Sequence, residues 1–146
     1  MSREERIRQR VLRAISLNRT PGYHFPRNFI DLSFDRVASD DTRVSYESDE
    51  SDVGSLAVLA DFALGTAIRA DLDPATRLAT VSMTLELATA PRPGSVSAAA
   101  RLHGFIGEEE ARIGRARVSI ENGGSEIGYG SGAFMVLKPP PGVELH

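Results

Sequence analysis

The chain contains no cysteine. Disulfides, thiolate metal sites and cysteine nucleophiles are therefore excluded, and with them a small secreted domain held together by disulfides. Clustered positive charge is also missing: 17 Lys and Arg are spread along the sequence against 20 Asp and Glu, giving a formal net charge of −3. A nucleic-acid surface needs a basic cluster, so no nucleic-acid partner is expected. No hydrophobic run is long enough to cross a bilayer, and the most apolar segment, 56–68, holds Asp61 in its middle. The amino end, MSREERIRQR, is charged with no apolar stretch behind it and does not read as a secretory signal. A cytoplasmic location and no membrane partner are the expectation. No internal repeat or low-complexity segment is present.

Residues with chemistry are equally sparse. The 3 histidines, His24, His103 and His146, stand far apart, so no metal site is expected. The stretch GYGSG at 128–132 lies inside a strand pattern, which fits neither a nucleophile elbow nor a dinucleotide loop. Its glycines suit a curved sheet lying close to a helix.

What is present fits one domain: 146 residues, 41% hydrophobic and 25% charged. Residues 3–17 predict an amphipathic helix, with Ile7, Val11, Leu12 and Ile15 on one face, and 18–28 an irregular connector. Strands are predicted over 29–38 and 42–48, followed by the acidic loop ESDESD at 47–52, which reads as a solvated run. A long apolar helix spans about 53–70, with Ser51 or Asp52 placed to cap it and Pro74 beyond its end.

The remainder is β-rich. RLATVSMTLELA predicts a strand with Ala79, Val81, Met83, Leu85 and Leu87 on one face. Strands follow over 95–106, over 115–121 with its start inside the turn stretch 107–114, and over 126–137, the last two joined by the tight-turn signal NGG at 122–124. Residues 138–146 form a tail without periodicity. Short connections make neighbouring strands antiparallel, and a one-faced sheet needs a cover. Only the helix at 53–70 is long and apolar enough. The expected fold is α+β, an antiparallel sheet wrapped around one central helix, with an extra amino-terminal helix.

Within that helix, Gly54, Ala57, Asp61 and Gly65 share a face. Their small side chains leave room near the backbone. An ionised carboxylate taken out of water costs several kcal/mol without partners, roughly speaking, so Asp61 must meet a polar group, water or a ligand. One reading is a structural hydrogen bond to loop backbone or to Ser or Thr of a dimer mate. The other is a base or nucleophile in a pocket. Gly54 lies in the first turn, where backbone N–H groups favour negative charge; it serves either as an oxyanion donor or for close packing.

The element order resembles the hotdog fold. The stretches GSLAVLADFALGTA, ATVSMTLELATAPRPG and GRARVSIENGGSEIGYGSGAFMVL resemble the phenylacetate-degradation-type (PaaI-like) acyl-CoA thioesterases. The resemblance covers residues 29–137 as core and leaves 1–28 and 138–146 outside it. It implies hydrolysis of an acyl-CoA or acyl-carrier thioester, with Asp61 as base or nucleophile and the Gly54 N–H on the thioester carbonyl. It implies no cofactor beyond the CoA carried by the substrate, and a homodimer or dimer of dimers with sites shared between subunits. Ser82 falls where the family contacts its ligand. Asp52 falls at the family's histidine, Val53 at its first glycine and Tyr46 at an asparagine. Those departures keep open an alternative, a non-catalytic hotdog domain that binds an acyl thioester or another apolar ligand. Arg69, Arg77 and Arg92 are candidate phosphate partners.

Overall fold

The computed structural model describes residues 30–49, 53–73, 76–108 and 111–137, with residues 2, 5, 8 and 9 near the amino end. Its elements are β1 (Ser33–Arg36), β2 (Thr42–Ser48), the helix α1 (Val53–Arg69), β3 (Arg77–Leu87), β4 (Gly94–Ile106), β5 (Ile113–Asn122) and β6 (Ser125–Leu137). At the amino end, Glu5 N–H donates to Ser2 Oγ at 3.1 Å and Ser2 N donates to Glu5 Oε2 at 2.6 Å. This reciprocal pair is a capping box. Apart from residues 5, 8 and 9, which are helical, the expected helix over 3–17 lies outside the described residues, as do the connector, Ser51, Asp52 and the tail.

The strands form one six-stranded sheet in the order β1-β2-β4-β5-β6-β3. Every neighbouring pair is antiparallel. The sheet curves around α1, and the reason is alternation. Thr42, Val44 and Tyr46 of β2, Val96, Ala98 and Ala100 of β4, and Ala116, Val118 and Ile120 of β5 are buried toward the helix. The helix answers with Leu56, Leu59, Ala60, Ala63, Leu64, Ala67 and Ile68, an i, i+3, i+4 stripe that is wholly buried. Small residues on both sides let the two layers approach closely.

Glycine sets the curl of the sheet at β6. Gly132 pairs with Met83 of β3, and a Cβ there would lie 2.9 Å from both Leu64 Cδ1 and Phe134 Cε2. The space a side chain would take is filled by the helix and the Phe134 ring. The turn between β5 and β6 uses Gly123 and Gly124, with φ of 60° and 80°. Two successive positive φ values match the right-handed twist of a two-residue hairpin.

Two sequence expectations need correction. The first strand is shorter than 29–38: Asp31 has φ of 52°, and the β1–β2 register shifts between Phe34 and Arg36. A left-handed residue and a bulge confine pairing to a short edge. In β3, Ala79 and Val81 do not continue the apolar face of Met83, Leu85 and Leu87. The register with β6 shifts between Thr80 and Ser82, so Val81 is an extra residue, 55% exposed. Leu78 packs against the core in place of Ala79 and Val81. One inserted residue moves every side chain before it to the other face.

Candidate functional site

Asp61 sits on α1 one position beyond the buried Ala60, at the margin of the core-facing stripe, and is half-buried. Its neighbour across the gap is β3. Thr80 Oγ1 donates a hydrogen bond of 2.7 Å to Asp61 Oδ1. Among the described residues, Oδ2 has no hydrogen-bond partner. The carboxylate is thus held at one oxygen and open at the other.

The bulge at Val81 makes this contact. Thr80 pairs with the buried Phe134 and faces the helix, whereas Ser82 pairs with Ala133. Gly132 and Phe134, on either side of Ala133, face α1, so Ala133 and Ser82 lie on the outer face of the sheet. One chain therefore brings Asp61 together with Thr80 and places Ser82 on the opposite side. The residues themselves are ordinary, and no sequence signal marked Thr80: its position depends on a bulge that periodicity does not reveal.

Gly54 is exposed in the first turn of α1. Asp61 is seven positions further on, which is about 10 Å along the helix axis. Between and beyond them, Ala57 and Gly65 keep the face narrow, but the room at Gly65 is taken up: a Cβ there would lie 3.3 Å from Phe134 Cε1. Asp52 lies outside the described residues.

The candidate phosphate partners are dispersed. Arg69 Nη1 donates to the Thr76 carbonyl at 2.7 Å, tying the end of the helix to the start of β3. Arg77 lies in β3, opposite Leu137. Arg92 is in the β3–β4 loop, where its backbone N–H donates to Asn122 Oδ1 at 2.8 Å. Among the described residues, no group of three or more His, Asp or Glu is placed to hold a metal ion. No helix among them is long and apolar enough to cross a membrane.

A surface groove of about 390 Å³ opens at the other end of β3, lined by Glu86, Leu87, Ala88, Glu126, Ile127, Gly128 and Tyr129. It holds none of Asp61, Gly54 or Ser82. Within it, Tyr129 is paired directly with Glu86 across the strands. The hydrogen bond to the Glu86 carboxylate, then its charge and slight burial, raise the Tyr129 pKa above its usual 10.0.

No known protein-family description and no curated protein sequence matches this chain. Solved structures do. A protein of Bacillus halodurans crystallised with CoA is 12% identical over 96% of this chain and 97% of its own, with a TM-score of 0.69. A phenylacetic acid degradation-related protein of Ralstonia eutropha is 12% identical over 82% of this chain and 96% of its own, with a TM-score of 0.67. A thioesterase of Haemophilus influenzae is 12% identical over 77% of this chain and 82% of its own, with a TM-score of 0.64. At these identities the likeness is one of fold: an antiparallel six-stranded sheet around one helix, the hotdog-like α+β arrangement that the sequence resemblance led us to expect.

Proposed function

We propose that this protein hydrolyses an acyl thioester, with CoA as the thiol carrier and Asp61 as the general base. The observation that carries the reading is the half-buried Asp61 carboxylate, fixed at Oδ1 by Thr80 at 2.7 Å. A carboxylate steadied at one oxygen offers the other to a water molecule. That water attacks the thioester carbonyl carbon and gives its proton to Asp61. The tetrahedral oxyanion is met by the backbone N–H of Gly54 of a second copy, at the positive end of that copy's α1. The C–S bond then breaks, and the departing sulfur takes up a proton, leaving a carboxylic acid and a free thiol. Direct attack by Asp61 is the variant path; it forms an anhydride that water opens to the same products.

The fold shared with a CoA-bound structure supports the substrate class. Gly54 and Asp61, about 10 Å apart on one helix, favour a site completed by a second copy. The edge strand β3, 11 residues long and among the described residues paired only with β6, offers a row of backbone groups for that copy. In this reading Thr80 is the β3 hydroxyl on the Asp61 side. Asp52 is kept as a proposed substrate contact, whereas Ser82, on the outer face of the sheet, lies away from the Asp61 side.

The test is free-thiol release from short, long and aromatic acyl-CoAs by the wild type and by Asp61→Asn. General-base catalysis contributes roughly 10²–10⁴-fold, so the variant should lose at least ~100-fold while its melting temperature holds. Equal turnover in both proteins would end the mechanism. The second reading, an acyl-thioester-binding domain without turnover, draws on Val53 and Tyr46, which stand where the resembled family has glycine and asparagine. It expects acyl-CoA to raise the melting temperature with no thiol released.

A further inference from the structure

The cleft that holds Asp61 is polar at its mouth and apolar at its floor. Asp61 and the exposed Thr80 stand at the mouth, joined by their 2.7 Å hydrogen bond. Behind them lies Phe134, only 3% exposed. The sheet and the helix fix its place together. Phe134 pairs directly with Thr80 across β3 and β6, which sets their Cβ atoms about 5 Å apart on the face toward α1. The ring then reaches α1 one turn beyond Asp61, where a Cβ on Gly65 would lie 3.3 Å from Phe134 Cε1. Its other edge closes on Gly132, where a Cβ would lie 2.9 Å from Phe134 Cε2. Met83, paired with Gly132, is part-buried against the same core. Two glycines thus open a space beside the carboxylate, and one aromatic ring fills it.

We propose that Phe134 is the floor of the acyl subsite and limits the substrate to short acyl groups, roughly two to four carbons, the span of one helical turn. The inference rests on Asp61 being the base of the proposed thioester hydrolysis. The small-residue face of α1 runs both ways from Asp61. Toward the amino end it passes the half-buried Ala57 and reaches the exposed Gly54. Toward the carboxyl end it stops at Gly65, against the Phe134 ring. A thioester has two arms of very unequal size. The bulky thiol carrier takes the exposed direction, so with the carbonyl at Asp61 the acyl arm points to Gly65. Those two positions are about 6 Å apart along the axis, and the ring holds the far end of that span. A short acyl group rests against the ring without rearrangement. A longer one must displace a buried aromatic side chain packed on both glycines. An apolar pocket of fixed depth discriminates by roughly 10–200-fold per methylene.

The experiment is a chain-length series from acetyl-CoA to dodecanoyl-CoA, with the full-length protein and its Phe134→Ala and Phe134→Leu variants. For the wild type, kcat/KM should be highest on the short esters and at least ~10-fold lower by octanoyl-CoA. Phe134→Ala should raise the octanoyl-to-acetyl ratio of kcat/KM at least ~10-fold, and Phe134→Leu should raise it less. The ratio is the readout because loss of a core side chain lowers every rate alike, whereas an opened floor changes the profile. If Phe134→Ala does not fold, Phe134→Leu carries the same comparison. Calorimetry in the Asp61→Asn background, where the thioester survives, gives the second arm. There octanoyl-CoA should bind more tightly once Phe134 is replaced. This arm needs no turnover, so a wild type that releases thiol from no ester ends the base reading while binding still judges the floor. A wild type equally active on octanoyl-CoA and acetyl-CoA overturns the inference. So do Phe134 variants whose chain-length profile and octanoyl-CoA affinity match those of the protein with Phe134.

Discussion

Thr80 and Asp61 are 19 residues apart in the chain, and their side chains meet in a 2.7 Å hydrogen bond between β3 and α1. The bond orients a carboxylate at the margin of the core. If Asp61 is the base, Thr80 is a positioning residue. Thr80→Val should lower kcat about tenfold, equivalent to ~1.4 kcal/mol, with KM nearly unchanged, and Thr80→Ser should keep the wild-type rate. A Thr80→Val enzyme with unaltered kcat would show that the bond is structural.

Gly132 is closed to any side chain. A Cβ there would stand 2.9 Å from Leu64 Cδ1 and Phe134 Cε2, both in the core. Gly132→Ala should destabilise the fold by ~1–3 kcal/mol, the usual range for overpacking, read as a lower denaturant midpoint with an unchanged slope.

Asn122 pins the β3–β4 loop to the end of β5. Its Oδ1 accepts from Arg92 N at 2.8 Å, and its Nδ2 donates to the Ser95 carbonyl at 3.0 Å and the Arg92 carbonyl at 3.3 Å. Asn122→Ala removes all of these and should cost about 1–2 kcal/mol. Hydrogen exchange should speed up in the loop around Arg92 before it changes elsewhere.

Tyr129 gives a pH signature. Its pKa lies above 10.0 because the phenol donates to the Glu86 carboxylate. A raised folded-state pKa means the contribution to stability is complete below the unfolded value. It is lost as pH rises through the folded one. Glu86→Gln should move the Tyr129 ionisation to lower pH in an ultraviolet titration and flatten the alkaline loss of stability. Tyr129→Phe should remove that transition altogether.

Much of the architecture was legible in the residues. The long run of small and apolar residues at 53–70, with Pro74 beyond its end, marked the central helix. Alternation in 42–48 and 115–121 marked strands, and Asn122-Gly123-Gly124 marked the hairpin. Asp61 stood out because an acid in an apolar run needs a reason. The strand at 77–87 was recognised, but the facing of its first half was not. A bulge is set by competition between neighbouring strands for hydrogen bonds, which no single-strand pattern contains.

The sequence alone therefore determined which segments are helix or strand and that one carboxylate lies among small apolar residues, since those follow from local periodicity and the cost of burying charge. Tertiary structure decided who meets that carboxylate. The extra residue at Val81 turns Thr80 inward to Asp61 and Ser82 outward. Strand order likewise decided that Arg101 faces Arg117 and Glu121 faces Glu126. Register joins residues distant along the chain, and only the assembled sheet specifies it.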